Sequence, residues 1–125
     1  MADELDFTGK TVLVVGGSSG IGNGIAQGFR AKGAEVHIWG TRASAADYDG
    51  VEGSDLEGLH YAQVDVSDFD SINSVSPDFD TLDVLVLSQG IVRYKRAEFE
   101  KTGWDEVMDV NINSVMHTAN AFRDM

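Results

Sequence analysis

The residues with the clearest chemical potential are Gly16-Gly17-Ser18-Ser19-Gly20-Ile21-Gly22. Their glycines have the spacing G-x-x-x-G-x-G and follow an apolar, β-branched run, Val12-Leu13-Val14-Val15. A helix-period pattern comes next, with Ile21, Ile25 and Phe29 on one face and Ala26 beside them. A strand, a glycine loop and a helix in that order can hold a phosphate. Glycine lets the backbone turn sharply and approach a pyrophosphate, while the first N–H groups of the helix point at it. Similar loops also join strands to helices where no ligand binds, so the spacing alone leaves both readings open. Two neighbouring motifs do not apply. The strict G-x-G-x-x-G fails because Ile25 takes the third glycine's place after Gly20 and Gly22. Gly9-Lys10-Thr11 mimics the end of a phosphate-binding P-loop, but Glu4 stands where its first glycine belongs, and the tripeptide precedes the strand.

Other reactive side chains form weaker patterns. His37, His60 and His117 lack metal-ligand spacing, so each reads as a strand or helix-surface residue, and no metal site is expected. Ser18 and Ser19 have no neighbouring base and are expected to bond phosphate or backbone. Arg93, Lys95 and Arg96 read as a solvated basic loop, and Trp39 and Trp104 as packing residues, with Trp104 the stronger core candidate.

The elements that must position these residues alternate. Thr11–Val15 reads as a first strand and residues 20–32 as its helix, stopped at Gly33. Residues 35–39 form a second strand; residues 43–58 are acidic and aperiodic, a loop with at most a short helix. A third strand covers residues 60–64, with Asp65 at its end. Ser67 is placed to cap a short helix carrying Phe69, Ile72 and Val75, which Pro77 ends. Residues 82–88 are apolar enough for a strand buried on both faces. A long helix follows over residues 102–123, with Trp104, Val107, Met108, Asn111 and Val115 at helical spacing and Ile112, Met116, Ala119 and Phe122 widening the stripe. Such alternation predicts an α/β fold: a Rossmann-like parallel sheet, strand order 3-2-1-4, with helices on both faces.

Composition narrows the partners. The 125 residues suit one domain, 1–125, and their 42% hydrophobic content supports a folded core. A formal net charge of −12 disfavours a nucleic-acid backbone or an anionic membrane. No apolar run reaches membrane-spanning length, and the acidic start lacks the apolar stretch of a secretory signal. The chain has no cysteine, which suits a reducing compartment; a cytoplasmic location is the expectation.

Taken together, the motifs resemble the short-chain dehydrogenases/reductases. Phe7-Thr8-Gly9-Lys10-Thr11-Val12 and the glycine loop are similar to that family's N-terminal signature, TGxxxGIG, with Val15 in place of the usual Thr. Asp65-Val66 matches its adenine-contacting pair, Leu82-Asp83-Val84-Leu85-Val86 its fourth strand, and Trp104 to Asn111 the helix carrying a structural and catalytic Asn, here Asn111. The family's usual Asn-Asn-Ala-Gly is replaced by Leu87-Ser88-Gln89-Gly90, and Leu87 cannot bridge strands as an Asn would. The resemblance implies a dinucleotide held by Gly16, Ser18, Ser19, Gly20, Ile21, Gly22, Thr41, Arg42, Asp65, Val66 and Gly90. At the end of strand two the acid expected of NAD-specific relatives is absent. Gly40 leaves room there, Thr41 can donate a hydrogen bond and Arg42 can pair with a 2′-phosphate, so NADP is favoured over NAD.

The family's catalytic Ser and Tyr-x-x-x-Lys have no counterpart here: Tyr48 leads to Glu52, Tyr61 to Asp65 and Tyr94 to Glu98. The expectation is a fold cut after its fourth helix, inactive alone, and the N-terminal cofactor-binding part of an NAD(P)-dependent oxidoreductase acting on a carbonyl or alcohol. Two alternatives remain open: a non-catalytic, self-assembling nucleotide-binding half-domain, natural or engineered, and a decayed product without ligand. Association into at least a homodimer is expected, through the helix at residues 102–123, the exposed edge of the strand at 82–88, or both.

Overall fold

The computed structural model describes residues 4–125; the expectation that the acidic start is no secretory signal rests partly on Met1–Asp3, which lie outside them. Four parallel strands form one sheet in the order β3-β2-β1-β4. They are β1 (Thr11–Val15), β2 (Glu35–Gly40), β3 (His60–Gln63) and β4 (Val84–Leu87). Helix α1 (Gly20–Ala31) connects β1 to β2, and α2 (Phe69–Ser74) lies between β3 and β4. After β4, α3 (Lys101–Met108) continues through a wide π turn (Asp109–Asn113) into α4 (Ser114–Phe122). Among the described residues no helix is long and apolar enough to cross a membrane.

Alternation along β1 divides the core. Val12 and Val14 face α1 and pack with Ala26, Val36 and Ile38. Leu13 and Val15 face the other way, toward Trp39, Val64, Phe79 and Phe122. Every residue of β1 is buried, as befits a central parallel strand covered on both faces.

Several expectations change. β4 is half-buried throughout because it is an outer strand with one edge unpaired among the described residues. Asp68, not Ser67, caps α2: its carboxylate accepts from the Asp70 N–H at 2.9 Å, while Ser67 turns back to Asp65. The helix then ends at Ser74, ahead of Pro77. Trp104 is exposed and Trp39 is the buried tryptophan, since strand β2 lies inside the sheet and α3 turns Trp104 outward. Ile21, read with the core face of α1, is 83% exposed. It stands at the mouth of the cleft described below.

Candidate functional site

All four strands end at the same edge of the sheet, and their following loops enclose a cleft of about 770 Å³. The chain reverses direction across the sheet between β1 and β4, where open α/β sheets place their ligands. Gly16, Ser18, Ser19, Ile21 and Gly22 line the cleft from the first loop, Thr41 from the second, Asp65 and Val66 from the third, and Gly90 from the fourth. Gly20 and Arg42, also read as cofactor contacts, and Asn111, read as catalytic, are not among the lining residues.

The glycine loop is shaped by contact distances. Gly16 has φ +79°, and a Cβ there would come within 3.0 Å of the Gln89 backbone. A Cβ on Gly22 would overlap the Gly16 carbonyl oxygen and the Ser88 hydroxyl. Gly20 has φ +58° with open space around it, so its conformation is what requires glycine. Ser19 sits at the N-cap of α1 without capping it. The N–H groups of Ile21 and Gly22 have no intrahelical acceptor, so they can serve an anion. The Gly20 N–H is taken by the Gly53 carbonyl at 3.0 Å.

That last bond belongs to a feature the sequence did not disclose. The acidic segment after β2 is fastened onto α1. Asn23 donates to the carbonyls of Gly17 (3.1 Å) and Asp55 (2.8 Å) and accepts the Asp55 N–H (3.0 Å). Gln27 donates to the carbonyls of Asp55 and Glu57. Only a short 3₁₀ turn, Ala45–Tyr48, is regular there.

The end of β2 differs from expectation. Gly40 does not leave open room: a Cβ would meet Ser18 Oγ and the Tyr48 hydroxyl at 2.7 Å and Tyr61 Cε1 at 2.9 Å. Tyr61 donates to the Arg42 carbonyl at 2.5 Å, and burial pushes its phenol well above the ordinary range. Burial also raises the neighbouring Tyr48 phenol, but hydrogen bonds with Ser18, Tyr61 and backbone outweigh it and leave a net lowering. Arg42 is held at the rim, donating from Nη1 to the Asp47 carbonyl at 2.6 Å and stacked 4.8 Å over the Tyr48 ring.

The fourth loop replaces the bridging that Leu87 cannot provide. Ser88 donates its hydroxyl to the Val15 carbonyl at 2.7 Å, tying β4 to β1, and Gln89 donates to Ser114 Oγ at 3.1 Å. Asn111, in the π turn, accepts the Ile91 N–H at 2.8 Å and donates to the Ile91 carbonyl at 3.0 Å. It therefore acts on the cleft through the backbone after Gly90. Arg93 leaves the solvated-loop reading: two of its guanidinium nitrogens reach one Glu106 oxygen at 2.7 and 2.6 Å on the cleft wall.

The comparisons agree with this geometry. The family model described as "short chain dehydrogenase" matches residues 10–125. A 2-dehydro-3-deoxy-D-gluconate 5-dehydrogenase of Pseudoalteromonas atlantica is 40% identical over 127 residues, covering 91% of this chain and 48% of that protein. A gluconate 5-dehydrogenase of Gluconobacter oxydans is 33% identical over 126 residues, covering 95% and 49%. The crystal structure of a short chain dehydrogenase from Burkholderia cenocepacia in complex with NADP superposes with a TM-score of 0.77 at 27% identity, covering 95% of this chain and 51% of that one. The chain spans about half the length of the curated relatives it matches.

Proposed function

Because the chain belongs to the short-chain dehydrogenase family, we propose that it is the cofactor-binding part of an NAD(P)-dependent oxidoreductase that reduces carbonyls or oxidises alcohols. The observation that carries this reading is the cradle at Gly22. Its missing side chain lets α1 start against Gly16 and Ser88 at the mouth of the cleft, where the N–H groups of Ile21 and Gly22 can receive a pyrophosphate. Asp65 and Val66 would hold the adenine, and Thr41 the adenosine ribose. Bound nicotinamide would supply the hydride; this chain's own residues bind and orient the ADP-ribose end. NADP is the preferred cofactor in this reading, because no acid stands at Gly40 and Arg42, two residues on, supplies a cation for a 2′-phosphate.

The test is a fluorescence titration of the 125-residue chain with NADPH and NADH. NADPH should bind more tightly. Gly22→Val should abolish binding of both, a loss read as loss of the site only where the circular dichroism spectrum matches wild type. Arg42→Ala should weaken NADPH roughly tenfold or more, the value of a charge-assisted hydrogen bond, and leave NADH unchanged. Equal binding of both cofactors, or an unaffected Gly22→Val, rejects the corresponding part of the reading.

One further observation favours self-association, the second reading. Trp104, Ile112 and Met116 are each more than half exposed along the α3–α4 path. Helical spacing groups them, and covering them would remove large apolar surface from water. Sedimentation should show at least a dimer at high micromolar concentration, and Trp104→Lys with Met116→Lys should yield a monomer. A wild-type monomer under those conditions counts against it.

A further inference from the structure

We propose that Glu35, His37 and His60 form a binding site for one divalent transition-metal ion of the zinc class. The three residues come together through the sheet. Glu35 and His37 are two apart on β2 and share a face. Parallel pairing of β2 with β3 sets His60 directly beside His37 in register. The site lies at the amino-terminal ends of the strands, opposite the edge that bears the cleft, and none of the three lines that cleft.

The geometry is that of a ligand set. Glu35 Oε1 stands 3.5 Å from His37 Nε2 and 3.7 Å from His60 Nε2, and the three donor atoms all lie within 4.8 Å of one another. A tetrahedral zinc ion with bonds of about 2.0–2.1 Å sets its ligand atoms about 3.4 Å apart. Glu35 Oε1 already stands near this distance from both nitrogens; the His60 ring must turn out of its stack on His37 for both ring nitrogens to face one ion, and the exposed side chains of His60 and Glu35 leave room for that turn. Two imidazoles and one carboxylate also suit zinc, iron or nickel better than calcium or magnesium.

A second observation points to a missing ligand partner. His37 is 7% exposed, and its Nε2 is buried without a hydrogen bond despite facing the Glu35 carboxylate. Buried polar nitrogens are normally satisfied, and an orphan requires an explanation. His37 is also oriented by its packing, edge-on to Phe79 at 4.7 Å. A buried, oriented imidazole with two exposed donors beside it gives three protein ligands and leaves the remaining positions to water.

The experiment uses the 125-residue chain stripped with a chelator and titrated with zinc chloride against a chromophoric competitor. One equivalent should bind at micromolar affinity or tighter, and Co²⁺ should give visible absorption typical of low-coordinate cobalt. His60→Ala and Glu35→Gln alter exposed side chains; each should weaken zinc about 10- to 100-fold. His117→Ala should leave binding unchanged. In the unmutated chain, zinc should shift the imidazole NMR signals of His37 and His60 and spare that of His117, a readout independent of any variant's folding. Millimolar binding, an affinity indifferent to His60→Ala, or equal shifts of all three histidines would overturn the proposal. The last two outcomes would assign the zinc to the general acidic surface instead.

Discussion

Gly40 shows how one absent carbon can be misread from sequence. Beside Thr41 and Arg42 it reads as space for a ribose, yet the space is filled by Ser18, Tyr48 and Tyr61. The side chain is missing because two phenols and a hydroxyl converge there, and their network supports the backbone of Arg42. Gly40→Ala should therefore destabilise the fold by about 1–3 kcal/mol, the usual cost of overpacking. The effect should appear as a lower urea midpoint with an unchanged slope. In a Tyr48→Phe background, which removes one of the atoms the new Cβ would meet, Gly40→Ala should cost less. Stability equal to wild type in Gly40→Ala would show that the phenols yield without cost. The need for glycine was legible where the backbone itself is the determinant. Gly16, Gly20 and Gly22 needed only their spacing to be legible. Contacts with a partner far along the chain were not legible, as with His37 and His60 or Asn23 and Asp55.

Elements were legible in proportion to their burial. The buried strand β1 and its helix α1 match their expected spans within a residue, because continuous apolar pattern and packing agree. Strand β4 reads as doubly buried because its sequence is apolar, but composition does not reveal whether a strand has a neighbour on each side. The long terminal helix was legible as a helix but not in its π turn, which the side-chain period does not encode. A further tie between elements escaped the sequence altogether. Asp83, just before β4, accepts the backbone N–H of Thr11 at 2.8 Å, and its own N–H donates to the Thr11 carbonyl. Its carboxylate thus satisfies the first residue of the most buried strand from a position 72 residues away. Asp83→Ala would leave the Thr11 N–H unpaired in a nearly buried setting, at a cost of about 1–3 kcal/mol. Asp83→Asn should lose less, since its amide oxygen can still accept. Denaturant unfolding of both variants checks this; equal stability of Asp83→Ala and wild type would remove the tie from the account.

At the scale of the whole molecule, holding a cofactor and using it are separable. The cleft brings together the glycine loop, Thr41, Asp65 and Val66, and under the proposed function these would hold the ADP-ribose end of the cofactor. Proton transfer is a separate requirement. The family resemblance implies Tyr-x-x-x-Lys for that step, and no tyrosine here is followed by lysine at that spacing. A positioned general acid is worth about 10²–10⁴ in rate. Misplacing a bound nicotinamide by about 1 Å costs about another 10²-fold. Self-association cannot repair this, because each copy brings the same residues. Asn111 does not substitute either: its amide is committed to Ile91 at both of its polar atoms. The expected outcome for the 125-residue chain is NADPH binding without measurable NADPH oxidation across a panel of ketones and aldehydes. Mixing it with a separately expressed fragment that carries the Ser and Tyr-x-x-x-Lys of a full-length relative should restore turnover only if the two associate, and Gly22→Val should then abolish it. Turnover by the 125-residue chain alone, above the enzyme-free rate and lost in Asn111→Ala, would mean that the proton reaches the substrate from a residue already in this cleft; Arg93 and Glu106, paired on its wall, would be the first to replace.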